Sequence, residues 1–379
     1  MTPYPTTQPR RSSPTETLGS GTAKAGARFE IRRAEDDDRD GLLALIGKLY
    51  CGDSVARYEH LYRSNPHGTA LTWLAIETAT GEAVACTSLF PRRVRVAGRE
   101  RAGSIGGDCY VEPRVRRQGL AVALHRASLA EMREGGIDFM YGPPVPNNLA
   151  ALLKAGSTLV GEYRRWVRPL NGGASVRAAF SRGPRPLAAR MLGVPLRLLD
   201  RMGRSSTRGF SVEEVGTFGI EFDELFERVA PTHAIVCVRD SAYLAWRYAP
   251  RRRQVPLAVR REGELVGLVV MEVDQERAAL VDLFTSPDPA STDVVLRLAT
   301  DYAAARGCFS IEVHATERSP VARRLARFGY IFRGARGFQV AVSPLDGQVD
   351  VLAAAGSWHL MEADKDLDTV FEPEDKKVE

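Results

Sequence analysis

The stretch "VEPRVRRQGLAVALHRASLAEM", Val111 to Met132, decides how this chain is read. Arg114, Arg116, Arg117 and Gln118 crowd around Gly119, and a helix of apolar period begins directly after it. The first turn of a helix exposes unpaired backbone N–H groups and the positive end of its dipole. A glycine there lets a bulky anion approach the backbone, and flanking arginines add charge. "ERAGSIGGDCYVEP" before it reads as a strand, so the order is strand, basic glycine turn, helix. That order is the context an anion cradle requires. The short string alone fits an ordinary basic helix start equally well, so the surroundings must decide.

Working outward, "FEIRRA" alternates like a strand, and "DRDGLLALIGKLY" carries Leu42, Leu45, Ile46 and Leu49 at helical spacing. "TWLAIETATGEAVACTSLF" reads as two strands joined at Thr80-Gly81, and Gly106-Gly107 predicts a bulge in the strand before the cradle. After the helix come a short strand "IDFMYG", a helix "NNLAALLKAG" and closing strands in "STLVGEYRRWVRPL". Residues 28–170 thus read β-α-β-β-β-α-β-α-β, a complete mixed α/β domain.

Here the sequence resembles the GNAT acyltransferase superfamily. The resemblance rests on Val111-Glu112-Pro113, on Arg116 to Ala121 as Arg/Gln-x-x-Gly-x-Gly/Ala, and on the helix from Pro146-Asn147-Asn148 to Gly156. It covers 28–170 well and 211–343 more loosely. It is closest to tandem GNAT proteins linked to bacterial polysaccharide and amino-sugar modification. It implies two domains, each a mixed, mostly antiparallel sheet flanked by helices, and acetyl-CoA or another acyl-CoA as cosubstrate. The pyrophosphate would lie on the N–H groups of Gln118, Gly119, Leu120 and Ala121 beside Arg116 and Arg117. The pantothenate arm would pair with the backbone of Cys109, Tyr110 and Val111, with Asn147 as a side-chain partner.

Acyl transfer to an amine needs a neutral nucleophile, a stabilised oxyanion and a protonated leaving thiolate. Asp108 and Glu112 are the candidate bases, and alternation puts both on one face of the strand. Asp108 lies nearer the expected bulge and is preferred; pairing with an arginine is its equal alternative. Many members of the superfamily carry a tyrosine four residues before the glycine equivalent to Gly156, where this chain has Leu152. The leaving-group acid is therefore missing or comes from elsewhere, and Tyr141 and Tyr110 are the hydroxyls in the neighbourhood. Cys109 is rejected as a nucleophile because no histidine shares its motif, and His125 reads as a surface or packing residue.

The second half echoes the first. "YRSNP" returns as "WRYAP", "DCYVEP" as "DLFTSP" and "LLKAGSTLVG" as "LARFGYIFRG", in the same order, which argues for a tandem duplication. At the cradle's position the second copy reads Asp288 to Asp293, with no glycine, no arginine and two acids, so it is expected to have lost the cofactor site and to complete an acceptor cleft. Between the copies, 171–210 holds eight arginines against one acid. That segment reads more readily as a solvated, partly helical linker than as a peripheral membrane contact through 177–208. Residues 1–27 read as a disordered tail and 344–379 as an extension with an acidic tail.

The 379 residues carry a net charge of +5, with 44% hydrophobic and 26% charged residues. This describes a soluble multi-domain protein with no nucleic-acid footprint. No apolar run reaches transmembrane length. The five scattered cysteines suit a reduced, cytoplasmic protein without a metal site. The expected function is acyl-CoA-dependent N-acyl transfer, most simply acetyl, to a primary amine of a small metabolite or amino sugar. A Fem-like transferase using aminoacyl-tRNA and a non-catalytic CoA sensor or scaffold are the alternatives.

Overall fold

The structure, a computed structural model, describes residues 28–50, 52–170, 207–248, 253–274, 276–317, 319–333, 338–344 and 358–365. The expectations for 1–27, for the basic segment up to residue 206 and for the last residues from 366 lie outside that set.

The first half runs β1 (Phe29–Arg33), α1 (Arg39–Leu49), α2 (Ser54–Tyr58), β2 (Leu71–Glu77), β3 (Glu82–Val96), β4 (Arg99–Val111), α3 (Leu120–Glu131), β5 (Phe139–Gly142), α4 (Pro146–Ala155) and β6 (Thr158–Pro169). Every residue of β2 is buried because α1 and α2 cover one face of the sheet while α3 and α4 cover the other. α1 presents Leu42, Leu45 and Ile46 to the first layer, and α3 presents Leu120, Leu124 and Ser128 to the second, each at the spacing of one helix face.

The second half repeats the plan. It runs β7 (Phe210–Glu214), α5 (Ile220–Val229), β8 (Ile235–Cys237), α6 (Ser241–Arg247), β9 (Gln254–Arg261), β10 (Glu264–Asp274), β11 (Arg277–Thr285), α7 (Pro289–Ala305), β12 (Ser310–Thr316), α8 (Pro320–Leu325), β13 (Ile331–Phe332) and β14 (Phe338–Pro344). Pairing is antiparallel throughout except for β4 with β5, β11 with β12 and the short β15 (Trp358–His359) with β8. The first two parallel pairs occupy matching places, each bridged by a crossover helix.

The halves are joined through their closing strands. "STLVGEYRRWVRPL" forms a single long strand, β6. β14 of the second half inserts between β5 and β6, while β6 also pairs with β12. The strand order is therefore continuous from β1 to β7 across both halves. An unpaired edge on β5 would leave a row of backbone donors and acceptors exposed, and the exchange removes it. The start of the acidic tail is also ordered in this structure. Trp358 is buried between the halves, and Asp364 pairs with Arg239 at 2.8 Å, so residues 358–365 are packed against both.

Candidate acyl-transfer site

The cradle expected at Gly119 has a definite geometry. Arg117 and Gly119 both adopt positive φ, 62° and 83°, and Gly119 stands as the N-cap of α3. No side chain caps the helix, and its first turn holds no acid. The N–H groups of Leu120 to Val122 precede the first intrahelical bond, Ala123 N to Gly119 O at 3.0 Å. A Cβ built on Gly119 would meet nothing within 4 Å, so the space above these donors is open. Arg116, Arg117 and Gln118 are exposed around it, and Arg116 Nε is anchored on Val111 O at 2.9 Å.

The matching helix of the second half is closed. Asp288 caps α7, its carboxylate accepting from Ala290 N at 3.0 Å and Ser291 N at 3.1 Å. Those bonds hold its pKa below the usual carboxylate range. The chain's own anion thus occupies the position that stays open at α3. The sequence suggested repulsion; the geometry shows occupation as well.

Beside the cradle, β4 and β5 part. They pair only from Gly103 to Ile105 against Phe139 to Tyr141, and no described strand pairs with that edge of β4 beyond Ile105. The resulting cleft is lined by Gly106, Gly107, Met140, Asn148, Leu152 and His125, among others. The bulge falls at Asp108-Cys109, just past the predicted glycines, with Asp108 at a φ of 46°. It sends Asp108 toward α1 and α2 and Cys109 toward α3.

Asp108 is fully enclosed. Its carboxylate accepts from Arg57 Nη2 at 2.6 Å and Nε at 3.2 Å, from Tyr62 OH at 2.7 Å and from Tyr50 OH at 3.0 Å. Four donors, two of them on one guanidinium, occupy both oxygens of this enclosed carboxylate. Of the two readings held open for Asp108, this geometry favours arginine pairing over general base. The second half supplies an internal comparison. Asp282 lies at the bulge of β11, bound by Arg239 Nε at 3.0 Å and Tyr248 OH at 3.0 Å. The clamp recurs in the half whose cradle is closed, so it belongs to the architecture of the bulge.

Glu112 emerges on the same face as Asp108, as alternation requires, but at the rim. It binds Lys48 and Arg114, and these cations hold its pKa below the usual range. Tyr141 does not offer its hydroxyl to the cleft: the group lies 2.8 Å from Cys237 Sγ, and burial raises its pKa well above that of a free tyrosine. Its assignment as a catalytic acid is corrected on that ground. Tyr110 is half-buried on β4, and its hydroxyl makes no hydrogen bond among the described residues. Asn147 is exposed; Asn148, one residue and about 100° further round the helix, is the one that lines the cleft. Leu152 lines it too, so the expected gap in hydroxyls is real at that position.

Two residues set aside in the sequence lie here. His125 is buried, with Nε2 2.7 Å from Asn148 Oδ1 and 3.7 Å from Cys109 Sγ. Burial lowers the pKa of the imidazole and pushes the Cys109 thiol up to about 11. Burial thus opposes a thiolate at Cys109, and a protonated thiol is a weak nucleophile, although the structure brings a histidine beside it that the sequence did not. The i, i+3/i+4 face of α3 could have flagged His125 as inward-facing; its contact with α4 had no sequence signal.

Residues 30–149 match the model of the acetyltransferase (GNAT) domain. No curated protein matches the chain. A GCN5-related N-acetyltransferase from Anabaena variabilis shares the fold at a TM-score of 0.60 and 14% identity, over 83% of this chain and 72% of that one. A conserved Enterococcus faecalis protein, described as a probable N-acyltransferase, does so at 0.61 and 8%, over 84% and 73%. Saccharomyces cerevisiae N-myristoyltransferase with bound myristoyl-CoA does so at 0.52 and 13%, over 83% and 79%. At these identities the likeness speaks for fold. The family match is to residues 30–149, a part of the chain similar to the acetyltransferase (GNAT) domain.

Proposed function

We propose that this protein is an acyl-CoA-dependent N-acyltransferase, working in its first half on a primary amine of a small molecule. The observation that carries the reading is the uncapped, acid-free N-terminus of α3 under open space, beside a cleft where β4 and β5 part. Donors fixed by a helix start suit a pyrophosphate, and the unpaired edge of β4 suits an amide-bearing arm.

The residues would divide the work as follows. Gln118, Gly119, Leu120 and Ala121 present backbone N–H groups to the phosphates, with Arg116 and Arg117 alongside. The backbone of Cys109, Tyr110 and Val111 holds the arm and polarises the thioester carbonyl. Asn148, braced by His125, replaces Asn147 as the side-chain partner. Acyl-CoA, when bound, supplies an acyl group activated as a thioester. The amine attacks it directly, since Cys109 stays a thiol. Its proton leaves through water at the rim, because Asp108 is engaged by Arg57 and Glu112 by Lys48 and Arg114. Tyr110, half-buried on β4, is our candidate to protonate the departing thiolate. We read the second half as a tandem copy whose cradle Asp288 has closed and whose surface completes the acceptor side.

The test is calorimetric titration with acetyl-CoA and longer acyl-CoAs, followed by thiol release against an amine panel. Micromolar binding with amine-dependent thiol release is the expected result. Binding without turnover selects the sensor reading, and no binding removes the acyl-CoA reading altogether.

A further inference from the structure

Arg92 lies on β3 opposite Gly103 of β4 and is 1% exposed. Its guanidinium gives one donor to oxygen, Nη1 to the neighbouring Pro91 carbonyl at 3.0 Å. Nε and Nη2 are buried and have no acceptor among the described residues. A buried cation without a counter-charge is strongly disfavoured. The two idle donors share one edge of the guanidinium, where their N–H bonds run parallel and match both oxygens of a single carboxylate. The protein uses that same edge elsewhere: Arg57 meets Asp108 and Arg239 meets Asp282 through Nε and Nη2. Arg92 presents the fork to no acid of its own.

Its neighbours also carry idle donors. The guanidinium lies 5.6 Å from the Tyr243 ring and 5.2 Å from the Trp246 ring, both on α6 of the second half. Tyr243 is buried, and its hydroxyl has no partner. His67 stacks on Tyr243 at 4.8 Å, and its Nδ1 accepts from Arg93 N at 3.2 Å. A neutral imidazole accepting at Nδ1 carries its proton on Nε2, and that nitrogen is buried and unpartnered as well. Burial and the charges of Arg92 and Arg93 lower His67 to about 3, which keeps the ring neutral. Arg92 and His67 thus both pack on the Tyr243 ring, all three side chains hold unused donors, and only the Tyr243 hydroxyl can also accept.

We propose that Arg92, Tyr243 and His67 form a carboxylate-binding site at the seam between the two halves. The carboxylate belongs either to a small free ligand or to the amine acceptor itself, and the two sources share the chemistry that Arg92 recognises.

The test uses the full chain, with sodium acetate as probe and sodium chloride at equal ionic strength as comparison. Acetate is expected to raise the melting temperature saturably, and chloride is not. Arg92→Lys keeps the charge and loses the fork, so it should weaken acetate at least about tenfold. Tyr243→Phe keeps the ring and should weaken it less. Crystals grown in acetate should show a two-oxygen ligand on Nε and Nη2. The proposal is overturned by no saturable shift, by an equal shift with chloride, by affinities unchanged in both variants, or by water alone at the fork. A second arm, which alone rests on the acyltransferase reading, compares amines with and without a carboxylate. A KM raised by Arg92→Lys only for carboxylated amines assigns the site to the acceptor. An unchanged KM with acetate binding intact assigns it to a separate ligand. Absence of any acyl transfer leaves the acetate result standing.

Discussion

Gly119→Asp places a carboxylate where the cradle is open, as the second half does with Asp288. The stability cost is small. A non-glycine residue at a φ of 83° is strained by about 1–2 kcal/mol, and a negative charge at a helix start returns about 0.3–1 kcal/mol. The effect on a phosphate is larger. Two unit charges about 4 Å apart near a protein surface repel by about 4 kcal/mol, and salt screening reduces this to about half. Affinity for acetyl-CoA should therefore fall between about thirtyfold and a thousandfold. Gly119→Ala carries the same strain and no charge, and its Cβ touches no protein atom, so it isolates the electrostatic part. Calorimetric titration of the three proteins, with thermal melts to confirm folding, reads out both quantities. If Gly119→Asp binds within threefold of wild type while folded, the anion does not sit at this helix start and the site must be sought elsewhere.

Asp108→Asn breaks a buried pair and should cost about 3–5 kcal/mol in urea unfolding; an inactive variant of undiminished stability would restore Asp108 as a base. Asn148→Ala should raise KM for acyl-CoA while Asn147→Ala leaves it alone, because only the former lines the cleft; steady-state kinetics on both separates them. His359 is buried and His67 and His233 are half-buried, and desolvation takes their pKa values below the ordinary range, to well below 6.5, about 3 and about 4 respectively. The unfolded chain then binds more protons, so stability is full above pH 6.5 and falls as pH drops below it, by up to about 1.4 kcal/mol per unit for each histidine. Urea melts at pH 7 and pH 5 should show this loss, and replacing His233 by glutamine should reduce the slope.

Much of this was legible in the residues themselves. Gly119 at a helix start, flanked by arginines and preceded by a strand, is a local pattern, and local backbone geometry follows from local chemistry. The alternation that puts Asp108 and Glu112 on one face is equally local, as is the capping of α7 by Asp288. Of the echoes between the halves, the pair Asp108 and Asp282 falls on two carboxylates that are each clamped by an arginine and a tyrosine.

Other features depended on contacts between residues far apart in the chain. Nothing near Asp108 announces that Arg57, fifty-one positions earlier, will claim its carboxylate. A strand's own pattern fixes its faces but not its neighbour, so the exchange of β6 and β14 was invisible until both edges were in place. The choice of Asn148 over Asn147 turns on a single helical step, set by how α4 packs on the sheet. The hydroxyl of Tyr141 was drawn to Cys237 by the seam, and Arg92 was left without an acid there for the same reason. Sequence determined which chemistry each segment could offer. Tertiary packing decided which of those groups are spent on one another and which stay free for a ligand, because burial makes every unpaired polar group costly and pairing depends on what the fold brings within about 3 Å.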